Sequence, residues 1–229
     1  MLGSLASGTG FSDIILNILY SLPAIVIAIS FHEYAHGLMA YWLGDNTAKY
    51  YGRLTVNPKA HFNLYGALCM LVFGFGWANP VPVNVRALKN PKRDSVLVSL
   101  AGPLMNFLVA IVSFVLYSVM FALSLKLENE VLIKVLGIMG NIFLISSSLN
   151  LGLMVFNLLP IPPLDGSKIL FPFLPARCYK VILTLERYGF MILMLLLATG
   201  ILDIPLMWLR GIVSVPVMKI GELVFKLFV

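Results

Sequence analysis

Charged residues are scarce in this chain. They make up 11% of its 229 residues, whereas hydrophobic residues make up 60%. A soluble domain of this length needs far more polar surface, so the composition excludes one and predicts a single membrane-embedded domain over residues 1–229. The net charge of +6 does not indicate nucleic-acid binding, because the basic residues lie at the ends of apolar runs. There they orient a protein in the lipid bilayer and contact anionic lipid.

Cysteines are few, no internal repeat is evident, and a cleaved leader segment is not expected. The two cysteines, Cys69 and Cys178, are far apart in sequence and match no metal-binding spacing. Neither a disulfide framework nor a cysteine metal site is therefore expected. The first ten residues contain no basic segment, and the first apolar run carries a candidate metal motif, so we do not expect a cleaved signal peptide.

Five apolar segments are long enough to cross a bilayer, which takes about 20 residues. They cover 12–42, 95–125, 131–160, 180–201 and 205–228. Only a short polar break separates the last two, so 180–228 is expected to form a terminal helical hairpin. The predicted fold is an all-α polytopic membrane protein with about five transmembrane helices.

The region 44–94 is strongly basic, with seven lysines and arginines against two aspartates. Short loops rich in Lys and Arg stay on the cytoplasmic side of a membrane, so we expect this region to be cytoplasmic. Segment 12–42 then ends on that side, 95–125 starts from it, and 131–160 returns to it. The turn of the terminal hairpin, at Asp203, is expected on the opposite side.

An apolar island, 64–77, lies inside this basic region. It is too short to span a membrane and is interrupted by glycines, so it predicts a re-entrant segment that dips into the bilayer and returns. The flanking stretches 54–56 and 81–85 have the character of short strands, and Pro82 limits the second to an edge position.

A metal-site pattern, His32-Glu33-Tyr34-Ala35-His36, stands near the end of the first apolar segment. Positions i and i+4 share one face of a helix, so His32 and His36 can reach one ion. Glu33 lies one step round from that face, where a carboxylate can act on a water without ligating the metal. This is the H-E-x-x-H arrangement of zinc hydrolases, in which the glutamate is the general base. Ionisable residues at membrane depth usually mark function.

A catalytic zinc site generally has three protein ligands, so two histidines need a partner. Asp165 is predicted to lie at the same depth as the histidines, and the prolines before it free the backbone to turn its carboxylate inward. The alternative is a turn aspartate on a wet surface, which the need for a third ligand disfavours. His61 follows 58–60 at the membrane surface, and we expect it to orient that loop rather than to bind a metal.

Three motifs together resemble the site-2 protease family of intramembrane zinc metalloproteases. They are HEYAHG at 32–37, AGPLMN at 101–106 and NLLPIPPLDG at 157–166, and the resemblance extends to GRLTVNP at 52–58. H-E-x-x-H alone is a weak signal, but three motifs in order and in membrane context are specific. Many members carry a peptide-binding or nucleotide-sensing domain, which this chain lacks, so it resembles a minimal form.

The resemblance implies that His32, His36 and Asp165 bind one zinc ion per chain and that Glu33 activates water. It also implies a single-span membrane protein or a signal-peptide remnant as the substrate, cut near the cytoplasmic face. A prokaryotic plasma membrane is the expected location. A substrate helix must unwind to expose its peptide bonds, and an edge strand at 54–56 or 81–85 could then satisfy its backbone groups.

Two asparagines, Asn106 and Asn157, have two interpretations. The resemblance implies that they hold the substrate backbone or the oxyanion, whereas a hydrogen bond between helices is a common use of buried asparagine in membranes. A transporter or ion carrier is the rival function, since it could also place His, Glu and Asp in a membrane cavity. A transporter often shows repeat symmetry, which this sequence does not. A zinc-binding scaffold without activity is disfavoured by the intact Glu33.

Overall fold

Every regular element in the described part of the chain is helical. The computed structural model describes residues 11–61, 63–73 and 79–228. In chain order the α-helices are α1 (Phe11–Trp42), α2 (Thr47–Tyr50), α3 (Pro58–His61), α4 (Leu64–Phe73), α5 (Pro91–Ser124), α6 (Glu130–Asn157), α7 (Asp165–Leu170), α8 (Tyr179–Ala198) and α9 (Asp203–Phe228). Short 3-10 helices cover Val85–Ala87, Phe171–Phe173 and Ala176–Cys178.

Among the described residues, four helices are long and apolar enough to cross a membrane. These are α1 from Ile18 onward, α5, α6 and α8. The 26-residue α9 is also long, but it contains several charged residues in addition to its apolar ones. The protein is therefore a polytopic helical membrane protein, as its composition predicts.

Local signals set the ends of the long helices. Asn90 accepts a hydrogen bond from a backbone N–H in the first turn of α5, and Asn129 does the same for Val131 at the start of α6. Such side chains satisfy N–H groups that have no partner within the helix. α6 ends at Asn157, shortly before prolines in 160–163 that cannot continue it.

Helices α1, α5 and α6 pack together as the core of the described structure. α5 and α6 are antiparallel and are joined by small polar side chains: the Ser113 and Ser146 hydroxyls lie 3.0 Å apart, and Ser147 Oγ donates to the carbonyl of Ala110 at 2.9 Å. Small residues let two backbones approach closely, and buried hydroxyls are satisfied across the contact. The arrangement brings the start of α5 and the end of α6 to one end of the bundle.

α9 runs parallel to α5. Gly221 lies directly against Phe114, and one turn further Phe225 stacks on Phe121 with ring centroids 5.7 Å apart. Residue numbers therefore rise together along the two helices. The beginning of α9 must then lie beside the beginning of α5, at the same end of the bundle as the end of α6.

The prediction that the turn at Asp203 lies on the opposite side from the end of α6 is therefore wrong. Leu202 belongs to the same buried cluster as Leu159 and Leu164, which follow α6. The middle of α8 is close by, because Gly189 has no side chain to separate it from Pro162. The sequence indicates apolar length for α8 and α9, but the direction of α9 is set by its contacts with α5, which apolar length does not reveal.

The expected strands at 54–56 and 81–85 are not formed in these described residues, and Val85 begins a 3-10 helix instead. Side chains satisfy their backbone groups in place of a strand ladder. The carbonyl of Thr55 accepts from His61 Nε2 at 2.7 Å, and the N–H of Val81 donates to Glu33 at 2.8 Å. With these groups already paired, the two segments do not need each other as strand partners.

The apolar island 64–77 is helical over Leu64–Phe73, which is α4. Residues 74–77 of the predicted re-entrant segment lie outside the described residues. Asn63 accepts a hydrogen bond from the N–H of Gly66 at 3.0 Å and so caps the beginning of α4.

The contact between α5 and α9 gives a test of this packing. A Cβ atom at Gly221 would lie 2.3 Å from a ring carbon of Phe114, so we expect Gly221→Ala to lower the free energy of unfolding by about 1–3 kcal/mol. Gly211→Ala on the same helix is the matched control, because a Cβ there has nothing within 4 Å. Thermal unfolding of both variants in detergent measures the difference. Equal melting temperatures would contradict the close α5–α9 contact.

Candidate metal centre

Three side chains converge at the end of the bundle where α6 stops. His32 and His36 lie one helical turn apart on α1, and Asp165 is the first residue of α7. The Nε2 atoms of the two histidines are 3.0 Å apart, and Asp165 Oδ2 lies 3.2 Å from His32 Nε2 and 3.1 Å from His36 Nε2. No other such group of His, Cys, Asp and Glu ligand atoms is found within the ranges that the structure describes.

The other ring nitrogen of each histidine is bonded to an acceptor. His36 Nδ1 lies 2.7 Å from the backbone carbonyl of Val98, which can only accept, so Nδ1 carries the proton. His32 Nδ1 lies 2.5 Å from Asn106 Oδ1. Both imidazoles therefore present an unprotonated Nε2 to the centre, as histidines that bind a metal do.

The three donor atoms fit a zinc ion. Tetrahedral bonds of 2.0–2.1 Å place neighbouring donors about 3.3 Å apart, close to the separations of 3.0–3.2 Å found here. A charged carboxylate and two neutral imidazoles form the donor set of a catalytic zinc site.

Two glycines allow the backbone to come this close. A Cβ at Gly102 of α5 would lie 2.5 Å from His36 Nε2 and 2.6 Å from His32 Cε1. A Cβ at Gly166 would lie 2.3 Å from the carbonyl oxygens of Leu158 and Leu159. Gly102 thus lets α5 pack against the face that carries both histidines, and Gly166 lets α7 fold back onto the end of α6.

Glu33 lines the same cavity as the three donors and is held by segment 79–84, which forms no helix. The N–H of Val81 donates to Glu33 Oε2 at 2.8 Å. The segment is fixed on both sides: Arg53 Nη2 donates to the carbonyl of Asn79 at 2.8 Å, and the N–H of Asn84 donates to the buried Asp45 at 2.6 Å. Two residues of the basic region, Arg53 and Asp45, therefore hold segment 79–84 in place beside Glu33.

The centre opens into a cavity of about 860 Å³. Its lining includes the donor residues, Glu33, Val81, Val83, Asn157, and one side of α8 with Glu186 and Phe190. Pro80 and the valines at 81, 83 and 85 also line the cavity. Most of the cavity wall is apolar, and its polar side chains include Glu33, Asn157 and Glu186.

The two predicted asparagines occupy different places. Asn157 lines the cavity, and its Nδ2 donates to the Leu153 carbonyl at 3.0 Å. Asn106 is fully buried and does not line it, since its amide is bonded to His32, to Asn150 and to the Ala28 carbonyl. For Asn106 the geometry therefore favours the interhelical hydrogen bond over substrate contact.

His61 lies away from the centre. It is fully buried, and its Nε2 contacts the Thr55 carbonyl at 2.7 Å, a contact that ties α3 to the preceding loop. This is the loop-orienting position that the sequence predicts for it.

Comparison with known proteins agrees with this chemistry. The model of peptidase family M50 matches residues 20–199, a range that contains all three donor residues. The chain belongs to peptidase family M50, the site-2 protease family of zinc metalloproteases. It is therefore a membrane zinc metalloprotease, and zinc is the metal that the His-His-Asp group fits.

Three relatives illustrate the range of similarity. A Bacillus subtilis protein with the provisional name zinc metalloprotease YwhC is 41% identical over 79% of this chain and 80% of its own. The Methanocaldococcus jannaschii protein MJ0611, named in the same way, is 31% identical over 79% of this chain and 83% of its own. The Mycolicibacterium smegmatis protein Rip2, also so named, is 28% identical over 78% and 66%. No solved structure matches the chain.

Several features of the site are not evident from the motifs. Gly102 lies inside one of them, but only the structure shows that its missing side chain makes room for the histidines. The bond between Val81 and Glu33 joins residues 48 positions apart and leaves no local signal. Asn150 could have been noticed, because it is a polar residue two helical turns before Asn157 in an apolar helix.

The close approach of α5 predicts that Gly102→Ala weakens zinc binding. An added methyl group would displace one or both imidazoles by nearly 1 Å, and we expect the zinc affinity to fall about 10- to 100-fold. Gly152→Ala on α6 is the control, since a Cβ there meets nothing within 4 Å. Chelator competition on detergent-purified protein measures both affinities. Unchanged zinc affinity in Gly102→Ala would contradict the contact.

Proposed function

We propose that this protease hydrolyses peptide bonds of membrane-spanning substrates near the cytoplasmic face, with Glu33 as the general base. The observation that carries the proposal is the position of the donor group. His32, His36 and Asp165 meet at the end of an apolar helical bundle, and their cavity is largely apolar. A substrate that enters such a cavity has apolar residues next to the scissile bond, as a transmembrane segment does.

Zinc bound by the three donors would polarise the substrate carbonyl and make a water molecule acidic enough to attack it near neutral pH. Glu33 is adjacent to His32 in the chain and lines the same cavity as the three donors. It would take the proton from the attacking water and pass it to the leaving amine. The Val81 N–H holds one oxygen of that carboxylate, so the side chain is oriented before a substrate arrives.

The substrate must be extended at the cleavage site, because the peptide bonds of a helix are covered by its own hydrogen bonds. Segment 79–84 forms no helix and lies along the cavity, where Pro80, Val81 and Val83 line it. We propose that an unwound substrate lies along this segment, which offers it backbone carbonyls as acceptors but few N–H donors, because Val81 and Asn84 already donate to Glu33 and Asp45 and the prolines have no N–H. Asn157, which also lines the cavity, would hold a substrate carbonyl.

The substrates we propose are single-span membrane proteins or the remnants of signal peptides. The distribution of charge supports a cytoplasmic site, because the loops at the metal end contain most of the lysines and arginines. Helix α9 packs along α5 through most of its length, which supports a further membrane crossing in addition to α1, α5 and α6. The relatives from bacteria and an archaeon support a prokaryotic plasma membrane.

The role of Glu33 predicts that Glu33→Gln retains zinc but loses cleavage. The amide keeps the size of the side chain but cannot accept a proton, so the rate should fall by about 10²- to 10⁴-fold. Co-expression with single-span reporter proteins, combined with zinc analysis of the purified variant, measures both properties. Glu128→Gln in the α5–α6 loop is the control and should cleave normally. Normal cleavage by Glu33→Gln would refute the proposed base.

The cytoplasmic position of the site predicts which loops are accessible from each side. In a background with Cys69 and Cys178 replaced by serine, Lys59→Cys should resist an impermeant thiol reagent added to intact cells. Glu128→Cys, at the other end of the bundle, should react with it. Labelling of Lys59→Cys but not of Glu128→Cys would place the metal end of the bundle outside the cell and contradict the proposed orientation.

A further inference from the structure

Behind His32, two buried asparagines join α5 to α6. Asn106 Oδ1 lies 2.5 Å from His32 Nδ1, and Asn106 Nδ2 donates to Asn150 Oδ1 at 2.8 Å. Asn150 Nδ2 in turn donates to the carbonyl of Ser146 at 2.9 Å. Both asparagines have zero exposure to solvent. A continuous row of hydrogen bonds therefore runs from a zinc donor to the backbone of α6.

Backbone carbonyls fix the direction of every bond in this row. The carbonyl of Ser146 can only accept, so Asn150 directs its NH₂ group toward it and its oxygen toward Asn106. Asn106 must then direct its own NH₂ group toward Asn150, where the carbonyl of Ala28 also accepts it at 3.4 Å. This leaves the oxygen of Asn106 facing His32, which can only be satisfied if His32 carries its proton on Nδ1.

We propose that Asn150 is a positioning residue for the metal centre, acting through Asn106 on the tautomer of His32. With the proton held on Nδ1, the lone pair of His32 Nε2 faces the two other donors. If Asn150 no longer accepts a hydrogen bond, Asn106 loses the shorter of the two bonds that hold its NH₂ group away from His32 and its oxygen toward His32. A reversed Asn106 amide would favour a proton on Nε2, the atom that must bind zinc. The proposal rests on zinc ligation by His32.

A purely structural role for Asn150 would be to join two helices. Ser147 has that role three residues earlier in α6: it is buried, and its hydroxyl donates to the Ala110 carbonyl of α5 at 2.9 Å. None of its hydrogen bonds leads to His32. Ser147→Ala therefore removes a comparable buried bond between the same two helices and leaves the row behind His32 intact.

The test compares zinc affinity, the visible spectrum of the cobalt-substituted protein and the thermal stability of the metal-free protein. Asn150→Leu has a similar volume but neither accepts nor donates, and we expect its zinc affinity to fall about 10-fold or more with an altered cobalt spectrum. Asn150→Asp should retain both properties. A carboxyl group buried at this position, bonded only to Asn106 and Ser146, is expected to be neutral, so its carbonyl can accept from Asn106 and its O–H can donate to Ser146. Ser147→Ala should bind zinc and cobalt as the native protein does.

Each outcome decides the proposal. Native affinity and spectrum in Asn150→Leu, or an equal loss of affinity in Ser147→Ala, would overturn it. If Asn150→Leu cannot be purified, Asn150→Ala also lacks the acceptor and is compared with Asn150→Asp, and equal affinities of these two would overturn the proposal. A native protein that binds no zinc would instead refute the proposed function itself.

Discussion

The architecture depends on bringing three electron-rich atoms within 3.2 Å of one another inside an apolar bundle. Such atoms repel when nothing lies between them, so the fold must hold each one from behind. Val98 holds His36 through a carbonyl, Asn106 holds His32 through an amide, and the turn before α7 holds Asp165. In a low-dielectric interior these bonds are strong and their loss is costly. The geometry of the zinc donors therefore depends on the packing of α5 against α1 and α6.

Glycine and small polar residues make this packing possible. Three glycines lie where two elements come too close for a side chain. Gly102 lets α5 pack against the face of α1 that carries the histidines. Gly189 lets α8 pack against the loop before Asp165, and Gly221 lets α9 pack against α5. Helices in lipid gain little from burying apolar side chains against each other, so close backbone contact and interhelical hydrogen bonds hold them together. The apolar residues on the outer faces are left to the membrane.

The sequence predicts the residues that carry the chemistry of the site better than it predicts the contacts that hold them in place. The H-E-x-x-H motif and the proline-rich turn before Asp165 are local patterns with a direct chemical meaning, and the apolar runs predict the long helices. The direction of α9 and the use of segment 79–84 depend instead on contacts between distant residues, such as Gly221 with Phe114 and Val81 with Glu33. Alternation of residue type suggested strands at 54–56 and 81–85, but side chains that reach their backbone groups make strand pairing unnecessary.

The central claim is that two imidazoles and one carboxylate are the protein ligands of zinc. X-ray absorption at the zinc edge of the detergent-purified protein tests it most directly. We expect nitrogen and oxygen donors at about 2.0–2.1 Å, with the outer-shell scattering of two imidazole rings. The His36→Ala variant should lose one ring, if it retains zinc at all. A sulfur donor at about 2.3 Å, or the scattering of only one imidazole in the native protein, would contradict the account.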